Sequence, residues 1–215
     1  MHRSLISSVS AACLALAASY AHADTVVISS FTFNPAITLN VGFPNYSGAS
    51  GEFSGTLNGA SFMTFCADLV QQVNFGAVYT DYSIVSGVTA FGAQKSADLD
   101  KLFSYFAATG TPSNAVQSAV AQAAVWEVLY DGAVHDFTSG TFSASTGDAA
   151  TQTALNAFNW AAVSSTAVTV HADRLFSPTA QDFVVLTPVP EPSTYALMLA
   201  GLAGMGFVAR RRAQR

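Results

Sequence analysis

The chain has 215 residues, of which 51% are hydrophobic and only 10% are charged. Intrinsic disorder requires low hydrophobicity and high net charge, so this composition excludes a largely disordered chain. With 8 basic and 13 acidic residues, the chain also lacks the basic footprint of a nucleic-acid binder, and we expect no nucleic-acid partner. Two cysteines cannot build a disulfide scaffold. After these exclusions, the composition is consistent with a membrane protein or with an exported domain that has hydrophobic ends.

The N-terminal segment, residues 1–23, has the organisation of a secretory signal peptide. Arg3 gives it a positive start, residues 11–18 form a short apolar core, and Ala21 and Ala23 are the small residues that precede a cleavage site. The apolar core is too short to span a bilayer, for which about 20 residues are usual. We therefore predict export and removal of this segment. The alternative is a buried first helix.

Residues 24–188 form the exported cargo domain between the two terminal segments. The first part of this domain is rich in β-branched and aromatic residues, which predicts strands. The stretch 42–51 is dense in Gly, Pro, Asn and Ser and predicts a loop. Asn58-Gly59 between two apolar runs predicts the turn of a β-hairpin. The predicted strands of this part are residues 25–33, 53–57, 61–69 and 78–85.

The middle of the cargo changes to helical spacing. Residues 96–108 predict an amphipathic helix, and residues 115–130 predict a helix that is apolar nearly all round, with Glu127 as its only charge, and therefore buried. Strands, a helical insertion and further strands predict an α+β fold: a β-rich sandwich or barrel-like domain with an inserted helical segment. The remaining predicted elements are a loop at 138–147, a helix at 148–163 and strands at 166–171 and 182–186.

The C-terminal segment combines a rigid block, an apolar stretch and a cationic tail. Residues 189–194 read Val-Pro-Glu-Pro-Ser-Thr, in which each proline disfavours helix at the residue before it. Residues 195–209 carry no charge and predict a short transmembrane sorting helix whose cationic end stays cytoplasmic. An amphipathic surface helix is disfavoured because the stretch has no polar face. The basic residues of the tail are Arg210, Arg211, Arg212 and Arg215.

This three-part segment resembles the PEP-CTERM sorting signal of Gram-negative bacteria. The resemblance implies recognition by an exosortase-type membrane protease, cleavage near the rigid block, a transient membrane anchor, and delivery to the cell surface or extracellular matrix. Such proteins usually accompany exopolysaccharide and biofilm production, so exopolysaccharide or surface-matrix components are the expected partners. The signal says nothing about the chemistry of the cargo. The residues of the sorting motif are Val189, Pro190, Glu191, Pro192, Ser193 and Thr194.

Removal of the signal peptide takes Cys13 away and leaves Cys66 as the only cysteine. Such a thiol in an exported protein is buried and inert, paired between chains, or reactive. Gln122 lies on the predicted buried helix, where an unpaired amide costs about 1–3 kcal/mol. Trp126 is one turn further on, and helical side chains lean toward the N-terminus, so its ring should cover Gln122. We predict that these side chains form one site.

The pairs Phe65-Cys66 and Gln122…Trp126 resemble the two motifs of the Cys–Gln thioester domains best known from adhesins of Gram-positive bacteria. In that family the thiol attacks the glutamine amide, releases ammonia and leaves an internal thioester. A target nucleophile, typically a lysine amine, later opens it. The resemblance implies a non-enzymatic adhesion protein with Cys66 as nucleophile and Gln122 as acyl partner, although the interval between them is shorter than in the adhesins. The shielding or supporting residues it suggests are Phe65, Asp68 and Trp126, with Glu127 as a further assistant.

Three other interpretations stay open. A structural cysteine beside a paired glutamine would leave a non-covalent, exopolysaccharide-associated structural protein. A cysteine-dependent hydrolase would need His135 or His171 as its base, and no local motif supports either. Residues 131–136 could be interpreted as a metal site, but an Asp-Gly pair after a helix usually marks the end of that helix. Because the chain lacks the common hydrolase, metalloprotease and phosphate-binding motifs, we expect no enzyme activity, metal or cofactor.

Overall fold

The computed structural model describes residues 23–131, 135–189, 198, 200–205 and 210–211. The strands are β1 (Asp24–Phe31), β2 (Ile37–Val41), β3 (Tyr46–Ser50), β4 (Phe53–Leu57), β5 (Ala60–Thr64), β6 (Tyr79–Val85), β7 (Ala144–Ser145), β8 (Val170–Phe176) and β9 (Phe183–Pro188). The helices are α1 (Gly87–Phe91), α2 (Ala93–Thr109), α3 (Ala115–Tyr130), α4 (Ala149–Asn156) and α5 (Trp160–Ser165). The fold is therefore mixed α/β, with the helices between β6 and β8.

The main sheet of the described residues has six antiparallel strands in the order β5-β4-β1-β6-β8-β9. Its two edges approach each other just after β5, where Cys66 forms an isolated antiparallel bridge with Phe183 of β9. Val184 N also donates to Phe65 O at 3.0 Å. These contacts make the sheet nearly closed, which protects edges that would otherwise expose unpaired backbone groups. The prediction of a barrel-like sheet is confirmed.

Helix α3 forms the centre of the helical segment. It contacts α2, α4 and the strands β2 and β3 of a second, three-stranded sheet with the order β3-β2-β7. Residues 118–128 of α3 are all buried. Asn114 begins the helix because its Oδ1 accepts from Gln117 N at 3.0 Å and so satisfies a free backbone donor. The predicted helix at 115–130 is confirmed.

The predicted hairpin at Asn58-Gly59 is also confirmed, because these residues join β4 to β5. Asn58 and Gly59 have φ values of 52° and 81°. Positive φ at both central residues matches the right-handed twist of the flanking strands, and asparagine and glycine tolerate it best.

Several predicted elements were wrong in extent. The stretch 42–51, predicted as a loop, contains β3, which pairs with β2. The predicted strand 61–69 ends at Thr64 because the chain turns toward β9. The predicted strand 166–171 lies at Val170–Phe176 instead.

The helical predictions also differ from the structure at two points. The predicted helix 148–163 is interrupted, and Asn159 begins α5 by accepting from Ala162 N at 3.0 Å. The short helix α1 was not predicted.

The described residues of the two ends are few. The predicted signal peptide, with Ala21, lies outside them except for Ala23, which is exposed. Of the predicted sorting helix at 195–209, residues 198 and 200–205 are helical and exposed, as are Arg210 and Arg211. Within the described ranges, no helix combines the length and apolar character needed to cross a membrane. The residues of the predicted sorting motif and basic tail that also lie outside the described residues are Pro190, Glu191, Pro192, Ser193, Thr194, Arg212 and Arg215.

Candidate functional site

Cys66 lies where the barrel closes. Besides its bridge to Phe183, its neighbours are held by backbone hydrogen bonds, Phe65 O accepting from Val184 N and Ala67 N donating to Asp182 O at 2.8 Å. The residue is fully buried. Cys66 is therefore positioned by contacts between distant parts of the chain.

The Gln122 side chain of α3 pairs with the backbone of Cys66. Cys66 N donates to Gln122 Oε1 at 2.9 Å, and Gln122 Nε2 donates to Cys66 O at 2.9 Å. The carboxamide thus takes the part of a peptide group on a neighbouring strand, using its donor and its acceptor together. Gln122 has no exposed surface, so this pair satisfies an amide that would otherwise be buried at high cost.

The Cys66 sulfur has its own polar contacts. It donates to Asp68 O, and Gln181 Nε2 donates to the sulfur at 2.8 Å. Burial raises the pKa of the Cys66 thiol, and the nearby Asp68 carboxylate adds to this effect. The Asp68 backbone and the side chains of Trp126 and Gln181 oppose it without overcoming it. The thiol is therefore neutral at ordinary pH.

Trp126 lies on α3 near the Cys66 thiol. It is buried and lies one helical turn after Gln122, and the Tyr46 ring packs against it edge-on at 5.5 Å. The indole N–H has no hydrogen-bond partner of normal geometry, yet it lies near enough to the thiol to lower its pKa. We refer to these two packed rings as the apolar roof of the site.

Asp68 holds together the two loops beside Cys66. Its Oδ1 accepts from Gln71 N at 2.8 Å and its Oδ2 accepts from Asp182 N at 2.7 Å. Both carboxylate oxygens are therefore engaged by backbone donors. Asp68 supports the position of the site and is poorly placed to transfer a proton.

Phe65 and Glu127 face other surroundings. The Phe65 ring packs against Phe103 and Phe106 of α2 at 5.9 and 6.3 Å, and successive side chains of an extended chain point to opposite sides. Phe65 therefore supports the core beside the site and does not roof the sulfur. Glu127 Oε1 accepts from Asp136 N at 3.0 Å, and burial raises the pKa of Glu127 to about 8.

The two histidines considered as bases have carboxylate partners elsewhere. His135 Nε2 lies 3.6 Å from Asp98 Oδ2, and His171 Nδ1 lies 2.7 Å from Asp100 Oδ2. The described structure gives neither histidine a contact with Cys66, which disfavours a Cys–His hydrolase. Among the described residues, no group of three or more His, Cys, Asp or Glu could hold a metal, and residues 132–134 lie outside them.

Nothing in the sequence marks Gln181 as part of the site. It lies in the loop before β9, and only the closure of the barrel brings its amide to the Cys66 sulfur. Tyr82 Oη fixes this loop by donating to Gln181 O at 2.5 Å. A local motif cannot reveal a residue whose role depends on so distant a contact.

A family model for the PEP-CTERM protein-sorting motif matches residues 188–212. The chain carries a PEP-CTERM sorting motif. This finding confirms the predicted sorting signal and supports export to the cell surface by an exosortase-type system, with processing by the exosortase, a membrane protease. No curated protein and no solved structure matches the chain.

The PEP-CTERM motif begins where the barrel ends. Pro188, its first matched residue, still pairs with Val170 of β8, and Val189 N donates to Thr169 O at 3.0 Å. Phe183, the partner of Cys66, is at the other end of β9. At about 3.4 Å per residue, the two ends of this strand are roughly 17 Å apart. The sorting motif and the Cys66 site thus occupy opposite ends of one strand.

Proposed function

We propose that this protein is a non-enzymatic cell-surface or matrix protein of a Gram-negative bacterium that attaches covalently to a partner. The attachment uses an internal thioester between Cys66 and Gln122. The observation that carries the proposal is the reciprocal pairing of the Gln122 carboxamide with the Cys66 backbone beneath Trp126. This pairing fixes the amide beside the residue that bears the thiol.

The same hydrogen bonds suit the chemistry of thioester formation. Cys66 Sγ attacks Cδ of Gln122, a carbon–sulfur bond forms and the carbon–nitrogen bond breaks. The thiol proton leaves with the amide nitrogen as ammonia, so no oxidant is needed. During the attack negative charge develops on Gln122 Oε1, where Cys66 N–H already donates at 2.9 Å. A fixed donor at this position stabilises the transition state, as in an oxyanion hole.

The apolar roof would protect the thioester bond from hydrolysis. Trp126 and the Tyr46 ring limit the access of water, so the acyl group persists until a stronger nucleophile arrives. When an amine of the partner attacks, an amide bond forms, the carbon–sulfur bond breaks and the sulfur takes up the proton. The partner is then linked to the Gln122 side chain and the Cys66 thiol is restored.

Mass spectrometry of the purified protein tests this proposal. Wild type should be lighter than its sequence mass by one ammonia, and methylamine should add to it by opening the thioester. Cys66→Ala should show neither the deficit nor the addition. Ser61→Ala, a change at an exposed residue of β5, is the matched control and should retain both. Full mass together with a freely titratable thiol would contradict the proposal.

The alternative is a non-covalent structural protein associated with exopolysaccharide or other matrix components. It is favoured by the complete pairing of the unlinked site: both polar atoms of Gln122 and the Cys66 sulfur already have partners. In that case Cys66→Ala and Gln122→Ala should change only stability, and methylamine should leave the mass unaltered.

A further inference from the structure

A cleft of about 280 Å³ opens beside the Cys66 site. This volume is close to the lower end of the roughly 300–1,000 Å³ typical of small-molecule sites. Gln181 joins the cleft to the site, because it lines the cleft and donates to the Cys66 sulfur. The lining residues are Phe31, Tyr46, Ala49, Phe53, Leu69, Gln71, Gln72, Val73, Phe75 and Gln181.

The cleft has aromatic walls. Phe31 and Phe53 stack at 4.6 Å, and Phe75 meets Phe31 edge-on at 5.6 Å. Phe75 is 51% exposed, so a large apolar surface remains open to solvent in the cleft. Tyr46 contributes a fourth ring and also packs against Trp126. A ligand in the cleft would therefore contact the roof of the thioester site.

Apart from the Tyr46 hydroxyl, which donates to Ala49 O at 3.0 Å, the polar side chains of the cleft are amides. Gln71 uses its Nε2 to donate to Pro178 O at 3.3 Å, and Gln181 uses its Nε2 to donate to the Cys66 sulfur. A carboxamide has two donor hydrogens and an acceptor oxygen, so each of these side chains retains capacity for a ligand. Gln72 is exposed at the rim. None of the residues that line this cleft is charged.

We propose that this cleft binds a neutral saccharide and directs one of its hydroxyls toward the Cys66–Gln122 site. The C–H face of a sugar ring packs on aromatic rings, and its hydroxyls both donate and accept, as amides do. A charged ligand would lose water and gain no opposite charge from the lining. The cargo carries 3 basic and 12 acidic residues, so an anionic polymer would also be repelled.

The proposal extends the proposed function by naming a class of target, with a sugar hydroxyl in place of the partner amine as the nucleophile. Binding in the cleft does not require a thioester, but transfer to the sugar rests on it. In transfer, the hydroxyl oxygen attacks Cδ of Gln122 and forms an ester as the carbon–sulfur bond breaks. The hydroxyl proton passes to the sulfur. No further reactant is needed.

NMR titration of the purified protein with glucose, galactose, mannose and N-acetylglucosamine tests the binding. At least one sugar should shift the side-chain amide signals of Gln71, Gln72 and Gln181. Phe75→Ala should weaken that binding about tenfold, the usual size for truncating a central aromatic anchor. Phe43→Ala is the matched control, because Phe43 is similarly exposed at 53% and does not line the cleft.

Gln72→Ala provides a second variant at the rim and should weaken binding severalfold. Cys66→Ala should bind the same sugar as wild type, so the binding is assessed separately from the thioester, which the mass measurement reports. The proposal is overturned if no sugar shifts the three amide signals, or if Phe75→Ala and Phe43→Ala weaken binding equally. Shifts produced by butylamine but by no sugar would also overturn it, in favour of a cationic ligand.

Discussion

Helix α3 buries two polar side chains close together in sequence, and their surroundings differ. Gln122 has no exposed surface and both of its polar atoms are paired with Cys66. Glu127 is equally buried, but its Oε2 has no hydrogen-bond partner and its pKa is raised to about 8. A fully paired neutral amide gives a buried site a defined geometry at any pH. A desolvated carboxyl group holds a proton instead and makes stability depend on pH.

Gln122→Ala tests the paired amide and should cause the largest loss of stability. It removes both hydrogen bonds and leaves Cys66 N–H and C=O buried without partners, which should cost about 3–5 kcal/mol of the free energy of unfolding. Urea denaturation in a Cys66→Ala background measures this cost without any covalent link. Gln117→Ala, at the only other glutamine of α3, should cost far less. Equal losses for the two glutamines would show that the pairing is unimportant.

Glu127→Gln tests whether the buried Glu127 carboxyl group makes stability depend on pH. A carboxyl group whose pKa is raised on folding binds its proton more tightly in the native state than in the unfolded state. Its contribution to the free energy of unfolding is therefore fully present below its ordinary pKa of 4.5. That contribution is lost as the pH rises to about 8. Wild type should therefore lose a few kcal/mol over this interval by linkage at about 1.36 kcal/mol per pKa unit, and Glu127→Gln should lose much less.

Asp148→Asn is the control for this pH dependence. Asp148 is exposed and its hydrogen bonds to Thr151 lower its pKa, so its contribution to stability is present above its ordinary pKa of 3.8 and is lost only as the pH falls below that value. Its replacement should therefore leave the slope between pH 4.5 and 8 unchanged. A wild-type slope that persists in Glu127→Gln between pH 4.5 and 8 would contradict the assignment to Glu127.

Ser118→Ala should have a smaller effect on the same helix. Ser118 Oγ accepts from Glu52 N at 2.7 Å, which joins α3 to the segment before β4. The variant leaves one buried N–H without a partner and should cost about 1–3 kcal/mol in urea denaturation. Ser164→Ala, an exposed serine of α5, should change stability by less than about 0.5 kcal/mol. A loss no larger than this control would mean that the buried N–H finds another partner.

Trp126→Phe should have the smallest effect. The change keeps an aromatic roof but removes an indole N–H that has no normal hydrogen bond, so stability should change by less than about 1.5 kcal/mol. Trp126→Ala should instead cost about 3–5 kcal/mol because it opens a cavity over Gln122. Thermal unfolding of both variants measures the difference. Similar losses would assign an essential bond to the indole N–H.

The parts of the fold that depend on local signals were predictable. Helix α3 has a capping asparagine, a long apolar run and a terminal Asp-Gly, so its limits follow from neighbouring residues. Strand β3 consists largely of Ser, Gly and Ala, which resemble a loop in composition. Its extended form depends on pairing with β2, which no local pattern reveals.

The same distinction applies to the candidate site. The polar Gln122 on an apolar helix and the rarity of cysteine drew attention to Gln122 and Cys66, which the structure pairs. Gln181 could not be found in this way, because it reaches the sulfur only through the closure of the barrel. Phe65 was expected to shield or support the site, and alternation along the chain directs its ring toward α2, where it supports the core.

Strand β9 has a mechanical consequence for a protein held at the cell surface. It pairs with β8 at six positions from Phe183 to Pro188, with Cys66 bridged at one end and the PEP-CTERM motif at the other. A pull between the sorting segment and a partner held at the Cys66 end would act along this strand. Such a force loads the ladder in shear, so its hydrogen bonds share the tension and do not open one after another.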